Sequence, residues 1–226
     1  MDKFKQYLTQ TKILLQKVGQ ILLRWLKTVA QYSHSWILAN WPHIKDRLQQ
    51  YIVLTRLDRP IGTYLVLWPT LWALWIAAEG IPTLHLFTVF VLGTLLMRSA
   101  GCVANDYADR NFDGHVERTK DRPVATGKVS NKEALLLAIT MVLVAFLLVL
   151  TTNQLTIILS FFAIPIAIIY PYMKRHTYLP QFFLGIAFSW GIPMAFAAQT
   201  GGIPNIVWLI FIANLLWAVV FDTIYA

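Results

Sequence analysis

The sequence predicts an all-α integral membrane protein, with six transmembrane helices preceded by an amphipathic helix on the membrane surface. Of its 226 residues, 57% are hydrophobic and only 13% charged. The apolar residues also gather into six runs of roughly spanning length. A third observation concerns charge. The net charge of +8 would suit a nucleic-acid partner in a soluble protein, but its placement tracks membrane topology, so no nucleic acid is expected. Cys102 is the single cysteine, which leaves no internal disulfide.

Residues 1–55 read as a basic amphipathic extension. Phe4, Leu8, Leu15, Val18, Leu22, Trp25 and Val29 recur at helical spacing, while Lys3, Lys5, Lys12, Lys17, Arg24 and Lys27 fill polar positions. Such a stretch is too charged to span and is expected to lie on an anionic membrane surface. No apolar core precedes a small-residue cleavage site, so a signal peptide is not expected. An excess of Lys over Arg and few Ser argue against a mitochondrial presequence.

Residues 56–226 read as a bundle. Its apolar runs extend roughly from Ile61 to Ala78, Leu84 to Ala104, Ala134 to Leu150, Leu155 to Met173, Pro180 to Ala198 and Ile203 to Phe221. Ten Lys and Arg precede Ile61. Arg110, Arg118, Lys120, Arg122, Lys128 and Lys132 follow the second run, and Lys174 and Arg175 follow the fourth. Apart from Arg98, inside the second run, every basic residue lies in alternate connections. The N-terminus and the connection after the second run are therefore expected in the cytoplasm, with the bundle in a bacterial inner membrane. Gly191-Ile192-Pro193 is expected to break the fifth run, which neighbouring helices can tolerate.

Where the second run ends, the chain reads Asn105-Asp106-Tyr107-Ala108-Asp109-Arg110-Asn111-Phe112-Asp113. Carboxylates are costly beside a membrane and mark function. Asp106, Asp109 and Asp113, at i, i+3 and i+7, share one face if the helix continues through them. Oxygen donors so spaced suit Mg²⁺, which clamps phosphate oxygens. Glu117 to Pro123 then supplies cations that would neutralise remaining anionic charge. A diphosphate-binding site follows, against the plainer alternative of a solvated loop with internally paired charges. Lys128 and Lys132 are assigned to that alternative. Arg98 and Ser99 either line a cavity or pack the bundle, and Arg56, Asp58 and Arg59 read as topology determinants. Trp68, Trp72 and Trp75, at helical spacing, read as packing or interface anchors. His34, His43, His85 and His176 show no zinc-type spacing, and His115 reads as a loop residue.

Trp68-Pro69-Thr70-Leu71-Trp72-Ala73-Leu74-Trp75, the run from Arg98 to Gly114, Tyr170-Pro171-Tyr172-Met173-Lys174-Arg175 and Gly191-Ile192-Pro193-Met194-Ala195-Phe196-Ala197-Ala198 resemble the UbiA superfamily of intramembrane aromatic prenyltransferases. The resemblance runs from about Leu57 onward and leaves the N-terminal extension uncovered. It implies transfer of a polyprenyl chain from polyprenyl diphosphate to the ring of 4-hydroxybenzoate, an early step of ubiquinone synthesis, with Mg²⁺ as cofactor. By the same resemblance Asn105, Asp106, Asp109 and Asp113 form a first Asp-rich motif that binds Mg²⁺-diphosphate. Arg118 and Arg122 would contact diphosphate, and Lys174 and Arg175 would lie near the anionic substrates. Asp222 and Tyr225 would open a second Asp-rich motif, Asp222 adding a metal ligand. The Arg56 region would border the active site.

The family pattern continues past Ala226 with further aspartates and a longer bundle, of about nine helices against six here. The chain is therefore expected to be a C-terminally truncated piece, with little turnover alone. Ionising an allylic diphosphate needs its charge neutralised by metal and by Arg or Lys. Water must be excluded from the resulting cation, which ring carbon then attacks. Cation–π stabilisation by Tyr or Trp is compatible with that chemistry. Competing readings are a transporter, a non-catalytic membrane scaffold, and a prenyltransferase with another aromatic acceptor. Transport would place ionisable groups near mid-membrane, whereas here they gather at one face.

Overall fold

The computed structural model describes residues 19–20, 23–25, 27–28, 31, 35, 38–113, 117, 119–173 and 176–225, the side chains of 111–113 and 225 excepted. The chain divides into two compact units, Met1–Gln49 and Gln50–Ala226. In the first, every described residue is helical, and Leu23, Trp25 and Trp41 are exposed. The part of the expected amphipathic pattern before residue 19 lies outside the described residues.

The second unit begins with helical residues 50–54 (α1). Then follow α2 (Ile61–Ala77), α3 (Leu84–Asp113), α4 (Asn131–Val149), α5 (Gln154–Met173), α6 (Pro180–Ser189), α7 (Gly191–Thr200) and α8 (Asn205–Tyr225). Among the described residues there is no strand. Among the described residues, five spans are long and apolar enough to cross a membrane, with α6 and α7 together forming one of them. The sixth, α2, has 17 residues, at the short end of what a bilayer core accepts. The outward faces carry large apolar side chains, such as Leu136, Leu143, Leu147, Leu209, Leu216 and Val220. In water that exposure would be ruinous; in lipid it is the expected surface. The protein is a multi-pass α-helical membrane protein.

Sequence signals account for most of the helix ends. Ser130 caps α4 in a reciprocal box with Glu133, satisfying two orphan backbone donors. Glu133 also accepts from the Tyr51 hydroxyl, tying α4 to α1. Asn153 caps α5: its Oδ1 accepts from the Thr156 amide at 3.0 Å, and its Nδ2 donates to the Ala197 and Ala198 carbonyls at 2.5 and 3.2 Å. Gly201, at φ +72°, ends α7 in the left-handed conformation. The expected break in the fifth span is a one-residue interruption at Trp190, whose indole N–H donates to the Leu159 carbonyl at 3.0 Å. Gly191 starts α7 directly against Thr70 of α2, where any Cβ would collide with the hydroxyl.

The helices alternate in direction. The end of α3, the start of α4, the end of α5 and the end of α8 therefore meet at one end of the bundle. One core cluster of Ala73, Leu74, Phe90, Ile192, Ala195, Phe196 and Val207 holds the opposite half together. A second, built on Leu54, Val103, Val124, Val129, Ala134 and Ala138, seats the long connection after α3 against α1, α3 and α4.

Candidate active site

Between the helices lies a cavity of about 780 Å³. Its two ends differ in chemistry. One is lined by Arg56, Asn105, Asp106, Asp121, Arg122 and Asp222; the other by Val89, Phe90, Val142, Ala145, Phe146 and Val149. The volume suits an organic ligand, and the division suits one with a charged head and an apolar tail.

α3 continues through the acidic motif to Asp113. Asp106 and Asp109 are thus one turn apart on a real helix, with Asp113 on the next turn. Asp106 is only 2% exposed, and its carboxylate is paired with two arginines. The Arg56 guanidinium reaches both oxygens at 3.1 Å, and Arg122 reaches Oδ1 at 3.0 Å. A buried carboxylate would be prohibitive without such partners.

Each arginine arrives by a distinct backbone device. α1 ends with Leu57 N–H donating to the Ile52 carbonyl and Arg56 N–H to the Val53 carbonyl. That pair defines a Schellman ending. It puts Arg56 at φ +59°, where glycine is usual and a side chain costs roughly 1–2 kcal/mol. Strain of this kind concentrates at functional sites. Arg122 is presented by a turn in which its own amide donates to the Thr119 carbonyl and its carbonyl accepts from the Thr126 amide. Pro123, Val124 and Val129 bury that turn.

Deeper in the bundle, Arg98 lines the cavity and donates to the Gly62 carbonyl at 3.2 Å and to the Cys102 sulphur. Ser99, next to it, is 2% exposed and packs within the bundle. Tyr170 of α5 also lines the cavity, within electrostatic reach of Arg98, Asp109 and Asp222. Trp68, Trp72 and Trp75 face outward, whereas Trp190 and Trp217 line the cavity.

The structure therefore brings together Asn105, Asp106, Arg122 and Asp222, with Asp109 within electrostatic reach of Tyr170. Asp113 and Tyr225 are helical, but their side chains lie outside the described residues, as do Arg118, Lys174 and Arg175 altogether. Arg56 joins the site, as the family resemblance implied for its region, although the residue pattern alone read it as a topology determinant. Its signal was weak: a left-handed backbone and a partner fifty positions away leave no periodicity. Tyr170 was visible only as part of a motif.

The donors fit a hard dication in chemistry, being carboxylates around an anion-sized chamber. Among the described residues, three such groups do not converge as a metal cluster. Asp106 engages two arginines.

Fold and site together define an intramembrane bundle built around a chamber with one charged end and an apolar extension. The UbiA prenyltransferase family matches residues 66–226, and the chain belongs to that family. A 4-hydroxybenzoate octaprenyltransferase of Alkalilimnicola ehrlichii is 59% identical over 184 residues, covering 81% of this chain and 63% of that protein. The chain thus spans less than two thirds of that relative's length. Among solved structures, an apo UbiA homologue from Aeropyrum pernix K1 has a TM-score of 0.65 at 28% identity, covering 74% of this chain and 63% of that one. A UbiA homologue from Archaeoglobus fulgidus bound to GPP and Mg²⁺ has a TM-score of 0.62 at 17% identity, covering 76% of this chain and 61% of that one, a likeness of fold.

Proposed function

We propose that this chain carries the diphosphate-binding part of an enzyme that transfers a polyprenyl group to the ring of 4-hydroxybenzoate. The observation that carries this reading is the two-ended cavity, with paired arginines and carboxylates at one end and Val, Ala and Phe at the other. The names of the similar proteins agree with it.

In this reading the diphosphate lies at the charged end. Arg122 and Arg56 are close enough to its position to share their donors between Asp106 and phosphate oxygens, with Arg118 following in the same loop. Asn105 orients the head group, and the family resemblance assigns Lys174, Arg175 and Tyr225 to the anionic substrates. Mg²⁺ held by Asp109, Asp113 and Asp222 would supply charge neutralisation for the leaving group. The prenyl tail runs into the apolar half, which keeps water from the allylic cation. Attack by the ring carbon ortho to the phenol hydroxyl forms the new C–C bond, and the displaced proton leaves to a nearby base.

The charged end faces the cytoplasm, because the basic connections sit there. The membrane is the bacterial inner membrane, and residues 1–55 are a surface-lying extension. Membranes containing the full protein, given polyprenyl diphosphate, 4-hydroxybenzoate and Mg²⁺, should form prenylated acid. Asp109→Ala should lower the rate by at least about 100-fold. Full activity in Asp109→Ala, or no product from the wild type, would overturn the assignment.

A further inference from the structure

Arg56 owes its place in the site to α1, the five helical residues before it in the second unit. So short a helix has no stability of its own. The bundle holds it through the Tyr51 hydroxyl on Glu133 and through Leu54, which is fully buried in the second core cluster. Its ending forces Arg56 to φ +59°, and the guanidinium reaches back to the Val53 carbonyl at 3.3 Å as well as out to Asp106. A side chain stays in that region only while its surroundings fix it. Fraying of α1 would let the Arg56 backbone relax and would carry the cation away from the mouth, which Val53 and Arg56 both line.

The chain that leads into α1 has a surface of its own. Leu38, Trp41, Lys45 and Leu48 are helical and exposed, and their spacing of i, i+3, i+7 and i+10 puts all four on one face. Such a stripe joins apolar side chains to an interfacial Trp and to a Lys whose ammonium can extend to phosphate oxygens. Residues 1–49 carry eight Lys or Arg against two Asp. An apolar stripe with that excess of cations is complementary to a bilayer surface rich in anionic headgroups.

We propose that anionic phospholipid bound along this stripe regulates the diphosphate site, a role that rests on the diphosphate reading above. Lipid fixes the chain entering α1, α1 keeps its last turn, and Arg56 stays at the mouth. The link is the covalent chain itself, because the extension passes directly into α1 at Gln50. Coupling of this kind is reciprocal, so a diphosphate in the mouth also tightens the hold of the extension on lipid.

The test places the full chain in nanodiscs of phosphatidylcholine, alone or mixed with phosphatidylglycerol, and titrates farnesyl thiodiphosphate with Mg²⁺ calorimetrically. The wild type should bind it at least about fivefold more tightly in the anionic discs, the lower end of ordinary coupling. Hydrogen exchange of the amides of residues 51–57 should slow there by a similar factor, with or without the thiodiphosphate. A variant with Leu38→Gln, Trp41→Gln, Lys45→Gln and Leu48→Gln keeps good helix formers at exposed positions. It should match the wild type in phosphatidylcholine and lose both responses to phosphatidylglycerol. Affinity indifferent to lipid in the wild type, which would leave the stripe to a protein partner or a second copy, overturns the proposal without touching the diphosphate reading. A gain that survives in the variant overturns it too. Slower exchange that depends on the stripe, with no thiodiphosphate bound in either disc, would sustain the grip of lipid on α1 and sink the diphosphate reading instead.

Discussion

A carboxylate gripped by two guanidinium groups, as Asp106 is by Arg56 and Arg122, is costly to disturb from either side. Removing it leaves two half-buried cations facing one another across the cavity mouth. Asp106→Ala should therefore cost about 3–5 kcal/mol of stability, the range for breaking a buried ion pair. Thermal unfolding in detergent reads that loss, and a midpoint unchanged from wild type would refute it. The Asp-rich spacing made these carboxylates visible in the sequence, but their division of labour was not. Periodicity places Asp106, Asp109 and Asp113 on one face without saying that Asp106 turns to arginines. Arg56 and Arg98 were legible as anomalies, one in a basic connection and one inside a span, and only packing assigns their partners.

Single helices show where the sequence speaks most directly. The end of α3 is the clearest instance, because the helix runs on through its acidic motif as the i, i+3, i+7 spacing requires. The break before α7 was announced by Gly191-Ile192-Pro193. Its reason is the neighbour on α2: Thr70 occupies the space a side chain at 191 would need. Gly191→Ala should cost about 1–3 kcal/mol, the usual penalty of overpacking. Thr70→Ala should restore most of it in the double variant, since the two residues touch. Equal losses with and without Thr70→Ala would show that the steric account is wrong. The cap of α5 by Asn153 was less legible, because its bonds to Ala197 and Ala198 join helices far apart in sequence.

At the scale of the molecule, alternation of helices and of basic connections carries the orientation. A membrane-impermeant maleimide applied outside the cell should label Gly80→Cys readily and Lys128→Cys only after permeabilisation. Both positions are exposed, while the native Cys102 is buried and adds little background. Labelling of Lys128→Cys in intact cells would reverse the proposed topology. The spans and the charge asymmetry were readable because lipid imposes length and composition on each helix. The shape of the cavity was not, since it depends on which small residues face inward from several helices at once. At the end opposite the charged mouth, Asn153 fastens the α4–α5 turn to the end of α7, and His85 meets Thr151 across the same end. The consequence is mechanical. Helices tied at one end by hydrogen bonds, and joined at the other by an apolar cluster and the ion pairs on Asp106, form a frame braced at both ends.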